Sequence, residues 1–219
     1  VRILIVAATS AEIGPLIERM ESVLTMETSV DSYTFDSHHV DVLVTGVGMV
    51  ATAAWCSRVL AQTRYDVAIN LGVCGSFDAF IEPGTVVHVI SDRLAELGAE
   101  DGEQLLALED LQLPGEAVFV NPDPLSNPAI EQLPAVSGIT VNTVHGGERS
   151  IAAVVARFEP QVESMEGAAF MSACLIGKVP FAQVRAVANM VERRNREAWK
   201  LADAIRNLNV EALRILTDL

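Results

Sequence analysis

Five short stretches of the chain place carboxylates, an amide and glycines where a small polar ligand could be held and its bonds polarised. Glu12 follows the first apolar run, in Ala7-Ala8-Thr9-Ser10-Ala11-Glu12. Ser10 or Thr9 can cap a helix there, and the carboxylate then falls in the first turn, where the helix dipole favours it. It has a second reading as a general base, because open α/β sheets bind ligands beyond the carboxyl ends of their strands. Glu166, in Ser164-Met165-Glu166-Gly167-Ala168-Ala169, stands before a helix whose first face is too small to be a whole core. That helix start should approach something and present its carboxylate to it, the plain alternative being a solvated Glu at a helix N-terminus. Asn189 ends the apolar run Phe181-Ala182-Gln183-Val184-Arg185-Ala186-Val187-Ala188, one helix and one strand after Glu166, so both can reach one sheet edge. An Asn in that position can also be a simple turn residue.

Two glycine motifs complete the set. Asn70-Leu71-Gly72-Val73-Cys74-Gly75-Ser76 lies at a strand end and leaves room for a substrate at Gly75 and Ser76, or else forms a tight turn. Gly46-Val47-Gly48-Met49-Val50-Ala51 has the outline of a dinucleotide-binding turn, but the acidic residue that should end the next strand is absent, that strand closing on Asn70 and Leu71. What survives is a strand end where a ligand can approach the backbone closely. The histidines have no metal-ligand spacing: His38 and His39 share a polar turn, His88 lies in a strand and His145 in a glycine-rich loop. Cys56, Cys74 and Cys174 are odd in number and never form CxxC, which points to a reducing cytoplasm and to Cys74 as packing, not nucleophile.

The elements that must position these groups alternate along the chain. Short β-branched runs at 1–8, 40–45, 67–71, 85–90, 117–120, 139–144 and 181–187 read as buried strands. Amphipathic segments at 11–24, 50–62, 151–157, 167–176 and 197–216 read as helices. The expectation is one α/β domain over 1–219, with a central, mixed but largely parallel sheet covered by helices on both faces. The stretch 99–134, rich in Glu, Asp and Pro, breaks the rhythm and reads as an excursion at the sheet edge.

Composition excludes several functions. Half of the 219 residues are apolar, enough for a full core, and the net charge of -14 repels nucleic acid and anionic lipid. No apolar run approaches a bilayer span, and no secretory leader is visible. Charge is uneven: 94–148 holds ten acidic residues and no Lys or Arg, whereas within 185–206 six basic residues (Arg185, Arg193, Arg194, Arg196, Lys200 and Arg206) face three acidic ones. This cationic patch is a candidate anion site, or a solvated helix start whose charges pair among themselves.

Taken together, Glu12, the Asn-Leu-Gly-Val-Cys-Gly-Ser segment, Ser-Met-Glu-Gly-Ala-Ala and Arg-Ala-Val-Ala-Asn resemble the nucleoside phosphorylase and nucleosidase family over nearly the whole chain. The resemblance implies that Met165 and Glu166 hold a ribose, with Glu166 on its hydroxyls, and that Glu12 orients water. It also implies substrate contacts from Thr9, Gly75 and Ser76 and base-edge contacts near Thr143 and Val144. No metal or cofactor is implied; the partners would be a small nucleoside and a second copy of the chain, as a homodimer or higher homo-oligomer. Two departures matter. Where the family's adenine-releasing hydrolases keep an Asp, this chain has Asn189, whose NH₂ can donate to O6 of a 6-oxopurine while its carbonyl accepts from N7–H. Where its phosphorylases place an Arg before the glycine segment, this chain has Asn70, which with Glu12 tilts the expectation from phosphate to water. The tail 189–199, with 204–209, resembles a branch that serves menaquinone synthesis by releasing hypoxanthine from a nucleoside with a benzoate on its 5′ side. Arg193 or Arg194 would pair with that carboxylate. The expected reaction is hydrolysis through an oxocarbenium-like state with inversion. Another purine nucleosidase, a phosphorylase, or a silent nucleoside-binding protein on the same fold remain open alternatives.

Overall fold

The computed structural model describes residues 1–23, 30–102, 104–122 and 124–219. In chain order the elements are β1 (Arg2–Ala7), α1 (Ser10–Ile17), β2 (Glu21–Val23), β3 (Asp31–Phe35), β4 (His38–Val44), α2 (Met49–Gln62), β5 (Val67–Ser76) and β6 (Val86–Leu94). There follow β7 (Gly98–Asp101), β8 (Gln104–Ala107), β9 (Val118–Val120), α3 (Pro128–Glu131), β10 (Ala135–Thr140) and α4 (Glu148–Phe158). The chain closes with β11 (Val162–Ser164), α5 (Gly167–Gly177), β12 (Phe181–Met190) and α6 (Leu201–Thr217).

The main sheet runs β11-β10-β6-β12-β5-β1-β4-β3-β2, with β9 alongside β6. It is mixed: β1 is parallel to β4 and β5, and β12 is parallel to β5 but antiparallel to β6. Because β11 pairs both with β10 and, antiparallel, with β5, the strands β5, β12, β6, β10 and β11 close on themselves, and the remaining strands extend as an open wing. The central strands are buried on both faces, which is why they read as unbroken apolar runs. Successive side chains of β1 enter different cores: Ile3, Ile5 and Ala7 pack with α1, α3 and α6, and Leu4 and Val6 with α2 and α5.

Several boundaries differ from the expectation, each for a local reason. β5 does not turn after Leu71 but continues through Gly72 and Gly75 to Ser76, paired residue for residue with β12 as far as Cys74. The first helix stops at Ile17, its end tied by Arg19 and Met20 N–H bonds to Leu16 and Ile17, and the chain enters the β2–β3 hairpin; Leu24, its expected last residue, lies outside the described residues. The 139–144 strand begins earlier, just after Pro134, and ends at Thr140, so Asn142, Thr143 and Val144 belong to a loop. The last helix is preceded by a 3₁₀ turn, Arg196–Ala198. The described part of 99–134 contains the rest of the β7–β8 hairpin, the β9 edge strand and the short α3, whose N-cap Asn127 accepts from Ala129 N and Ile130 N; residues 103 and 123 are outside the description.

The small face of α5 has a packing cause. A Cβ at Gly167 would overlap Asp92 and Gln183, which form a buried polar cluster with Thr140 beneath the helix start. Burial pushes the Asp92 carboxyl up to about 6, although hydrogen bonds from Gln183 and Thr140 and the charge of Arg185 pull the other way.

Candidate active site

The carboxyl ends of β1, β5, β11 and β12 converge on one cavity of about 510 Å³. Glu12, Gly75, Met165, Glu166, Asn189 and Arg194 all line it. The volume falls in the range of small-molecule sites.

Glu12 is held rigidly on the first turn of α1. One carboxylate oxygen accepts from the Thr9 backbone N–H at 2.9 Å and from its hydroxyl at 3.0 Å, and the other from Val73 N–H at 3.1 Å. The ordinary capping reading is therefore correct, and the same anchored, buried carboxylate faces the cavity. Glu166 sits at the N-cap of α5, 5% exposed, and its Oε1 accepts from Gly48 N–H at 3.0 Å. That bond gives the Gly46-Val47-Gly48 segment its role: Gly48 has φ +102°, a conformation that glycine reaches without strain, and its N–H clamps the carboxylate.

Between the two acids lies Arg185, fully buried in β12. Its Nη2 donates to Asn70 Oδ1, and its Nη1 lies 3.5 Å from Glu166 Oε2. A side chain at Gly72 would overlap the guanidinium and come within 3.1 Å of Glu12 Oε1, so this glycine leaves the space that the cation occupies on its way to Glu166. Nε and Nη1 make no hydrogen bond among the described residues.

Asn189 lies at an irregularity in the β5–β12 register, with its Nδ2 donating to Met190 O at 2.8 Å. Gly75 is equally constrained, since a Cβ there would come within 2.9 Å of Val191 Cγ2 and 3.4 Å of Asn189 Nδ2. Glu163, 3% exposed, borders the same point and holds His145 by two contacts, the backbone N–H at 3.0 Å and Nδ1 at 2.7 Å. Arg194 contributes the cavity's cation, its guanidinium 5.6 Å from the ring centre of Trp199, which Arg196 approaches at 6.0 Å.

Residues 2–218 match the family model described as the phosphorylase superfamily. The chain belongs to this superfamily. Within it the chain stands with the N-glycosyl hydrolases. It is 32% identical over 180 residues to futalosine hydrolase of Acidothermus cellulolyticus, covering 77% of this chain and 71% of that one. It is 30% identical over 203 residues to 5′-methylthioadenosine/S-adenosylhomocysteine nucleosidase of Colwellia psychrerythraea, covering 85% and 82%. Among solved structures, futalosine hydrolase of Helicobacter pylori superposes with a TM-score of 0.85 at 15% identity, over 100% of this chain and 98% of that one.

Against the residues singled out in the sequence, this superfamily member brings Glu12, Thr9, Gly75, Val144, Met165, Glu166, Asn189 and Arg194 to one cavity. Three others stand elsewhere. Ser76 is fully buried and closes its own turn, its hydroxyl donating to Asp78 O and accepting from Asp78 N–H. Thr143 is exposed on the loop that follows β10 and does not line the cavity. Arg193 faces a separate hollow beside Gly146, Gly147 and Glu148. Arg185 leaves the cationic patch for the core, because its neighbours in β12 carry it into the sheet. Position 70 carries no cation of its own; Asn70 instead accepts a hydrogen bond from Arg185 of the neighbouring strand, which does not line the cavity. Spacing missed Arg185, His145 and Trp199. A lone Arg inside an apolar strand was the available signal for the first, whereas the His145 partner lies eighteen residues away in sequence.

Proposed function

We propose that the chain hydrolyses the N-glycosidic bond of futalosine, releasing hypoxanthine and dehypoxanthine futalosine, a step of menaquinone biosynthesis. The observation that carries this reading is the combination, in one cavity, of the amide Asn189 and the cation Arg194 beside Trp199. A 6-oxopurine suits the amide, and a benzoate suits a guanidinium next to an aromatic face. Of the two arginines considered from sequence, Arg194 is the carboxylate partner, since it lines the cavity whereas Arg193 lines the adjoining hollow.

In this mechanism Glu166 holds the ribose hydroxyls and Met165 packs against the sugar. Glu12 takes a proton from water attacking the anomeric carbon on the face opposite the base, giving inversion. The C1′–N9 electron pair leaves on the purine ring, which takes one proton from solvent water at N7 while Glu12 returns its own to solvent; the Asn189 NH₂ donates to O6 and its carbonyl accepts from the N7–H so formed. Arg185 is committed to Glu166 and Asn70 and does not line the cavity, so it offers phosphate no direct contact; water as nucleophile fits that arrangement. The protein would work in the cytoplasm as a homodimer, and three unbridged, buried thiols suit a reducing compartment.

The test incubates the purified protein with futalosine, inosine and methylthioadenosine, each with and without phosphate, and separates the released base by chromatography. Hypoxanthine from futalosine at a phosphate-independent rate is expected, with Arg194→Ala raising KM for futalosine at least tenfold. Adenine release, or a need for phosphate, would overturn the substrate assignment.

A further inference from the structure

Glu163 and His145 have no role in the mechanism above, yet the pair, a buried carboxylate and a half-buried imidazole, is closely bonded and borders the same cavity as Asn189. Glu163 has both oxygens engaged as acceptors by one residue: Oε1 by His145 N–H and Oε2 by Nδ1. An ionised carboxylate cannot donate, so the imidazole proton is fixed on Nδ1. In the neutral ring Nε2 is then an acceptor only. The ring is also packed edge-on against Phe77, with centroids 6.2 Å apart, so both tautomer and orientation are set. His145 lines the cavity, and Glu163 and Asn189 meet at Gly75, each within 3.6 Å of the point where a Cβ would stand. The charged groups sharing this part of the cavity are Glu192 and Arg194, from the segment after β12.

We propose that His145, with its tautomer locked by Glu163, reads the N1–H of a 6-oxopurine through Nε2 and so rejects 6-aminopurines. The inference rests on the nucleosidase reading and deepens it. Hypoxanthine presents N7, O6 and N1–H in succession around its rim, with O6 between the other two; Asn189 takes the first two and His145 the third. Adenine presents a lone pair at N1, which would face the Nε2 lone pair, and a site built around a hydrogen bond rejects the ligand that cannot make it.

Glu163→Gln provides the sharpest test. The backbone N–H of His145 must still face an oxygen, which turns the new NH₂ toward Nδ1. That nitrogen then has to accept, the ring proton moves to Nε2, and the acceptor becomes a donor. Rates of base release from futalosine and from its 6-amino analogue are compared for the native protein, Glu163→Gln and His145→Ala, alongside calorimetric binding of hypoxanthine and adenine to each folded variant. The ratio of kcat/KM, 6-oxo over 6-amino, should fall about tenfold or more in His145→Ala and further, toward preference for the 6-amino compound, in Glu163→Gln. Equal losses on both substrates with the ratio and the binding preference unchanged would overturn the role of His145 while leaving the nucleosidase reading intact. A native protein that releases base from neither compound would overturn both.

Discussion

Replacing Arg185 by Met removes the buried cation but keeps an unbranched side chain in the slot over Gly72. Its partner Glu166 is 5% exposed, and the Nη1–Oε2 separation is 3.5 Å. At an effective dielectric of about 20 that pair is worth about 5 kcal/mol of direct attraction. Glu166 keeps its bond from Gly48, so the net cost belongs at the lower end of that for a broken buried pair, about 3 kcal/mol. For a chain of this length that is a fall in Tm of about 6–12 °C. Thermal and urea unfolding of Arg185→Met, Glu166→Gln and the double variant would measure it. If the orphaned charge is the cause, the double variant carries neither charge of the pair and should recover to within about 1 kcal/mol of the native protein. An Arg185→Met protein destabilised by less than about 1 kcal/mol, or a double variant whose loss is the sum of the two single losses, would refute the coupling.

Glu12→Gln removes the base, and because both carboxylate oxygens accept from backbone N–H groups the new NH₂ must face one of those donors, at a cost of about 1–3 kcal/mol in stability; in the folded variant hypoxanthine release should fall at least about a hundredfold, and one keeping more than about a tenth of the rate contradicts the assignment. Asp92, raised to about 6 by burial, stabilises the fold while protonated, and its contribution is present below the ordinary carboxylate range and lost as pH rises through 6. Relative to Asp92→Asn, the native protein should therefore lose up to about 1.4 kcal/mol per pH unit between pH 4 and 6, read from urea midpoints across that window. Cys56 and Cys74 are pushed up to about 12 by burial, and Cys174 well above its ordinary value for the same reason; iodoacetamide at pH 8 should therefore modify none of them before the protein unfolds. Rapid alkylation of Cys74 with loss of activity would return it to consideration as a functional thiol.

Most of the architecture was legible because the central strands are buried on both faces. A strand such as β1 or β12 must be apolar throughout, and helices that cover it must alternate with it, so class and layer order follow from pattern alone. The open wing was legible only in part: β4 is apolar, but β2 is wholly exposed and β3 is polar at its start, so neither carries a strong period. The end of β5 was misread for a different reason. Gly72 and Gly75 resemble turn residues, but here they keep an extended backbone and are small because Arg185, Val191 and Asn189 occupy the space of their missing side chains.

The same contrast explains which functional groups could be read. Glu12 and Glu166 announce themselves locally, each beside a helix start, and Asn189 by ending an apolar strand. Arg185 and His145 do not, because what makes each one significant is a partner distant in sequence: Asn70 and Glu166 for the first, Glu163 for the second. Counting charge along the chain assigned Arg185 to a surface patch, whereas its register in β12, opposite Gly72, takes it into the core. A basic residue flanked on both sides by alanines and valines has no solvated face to occupy. Its burial requires a nearby anion, and the two carboxylates readable from sequence were available to supply one.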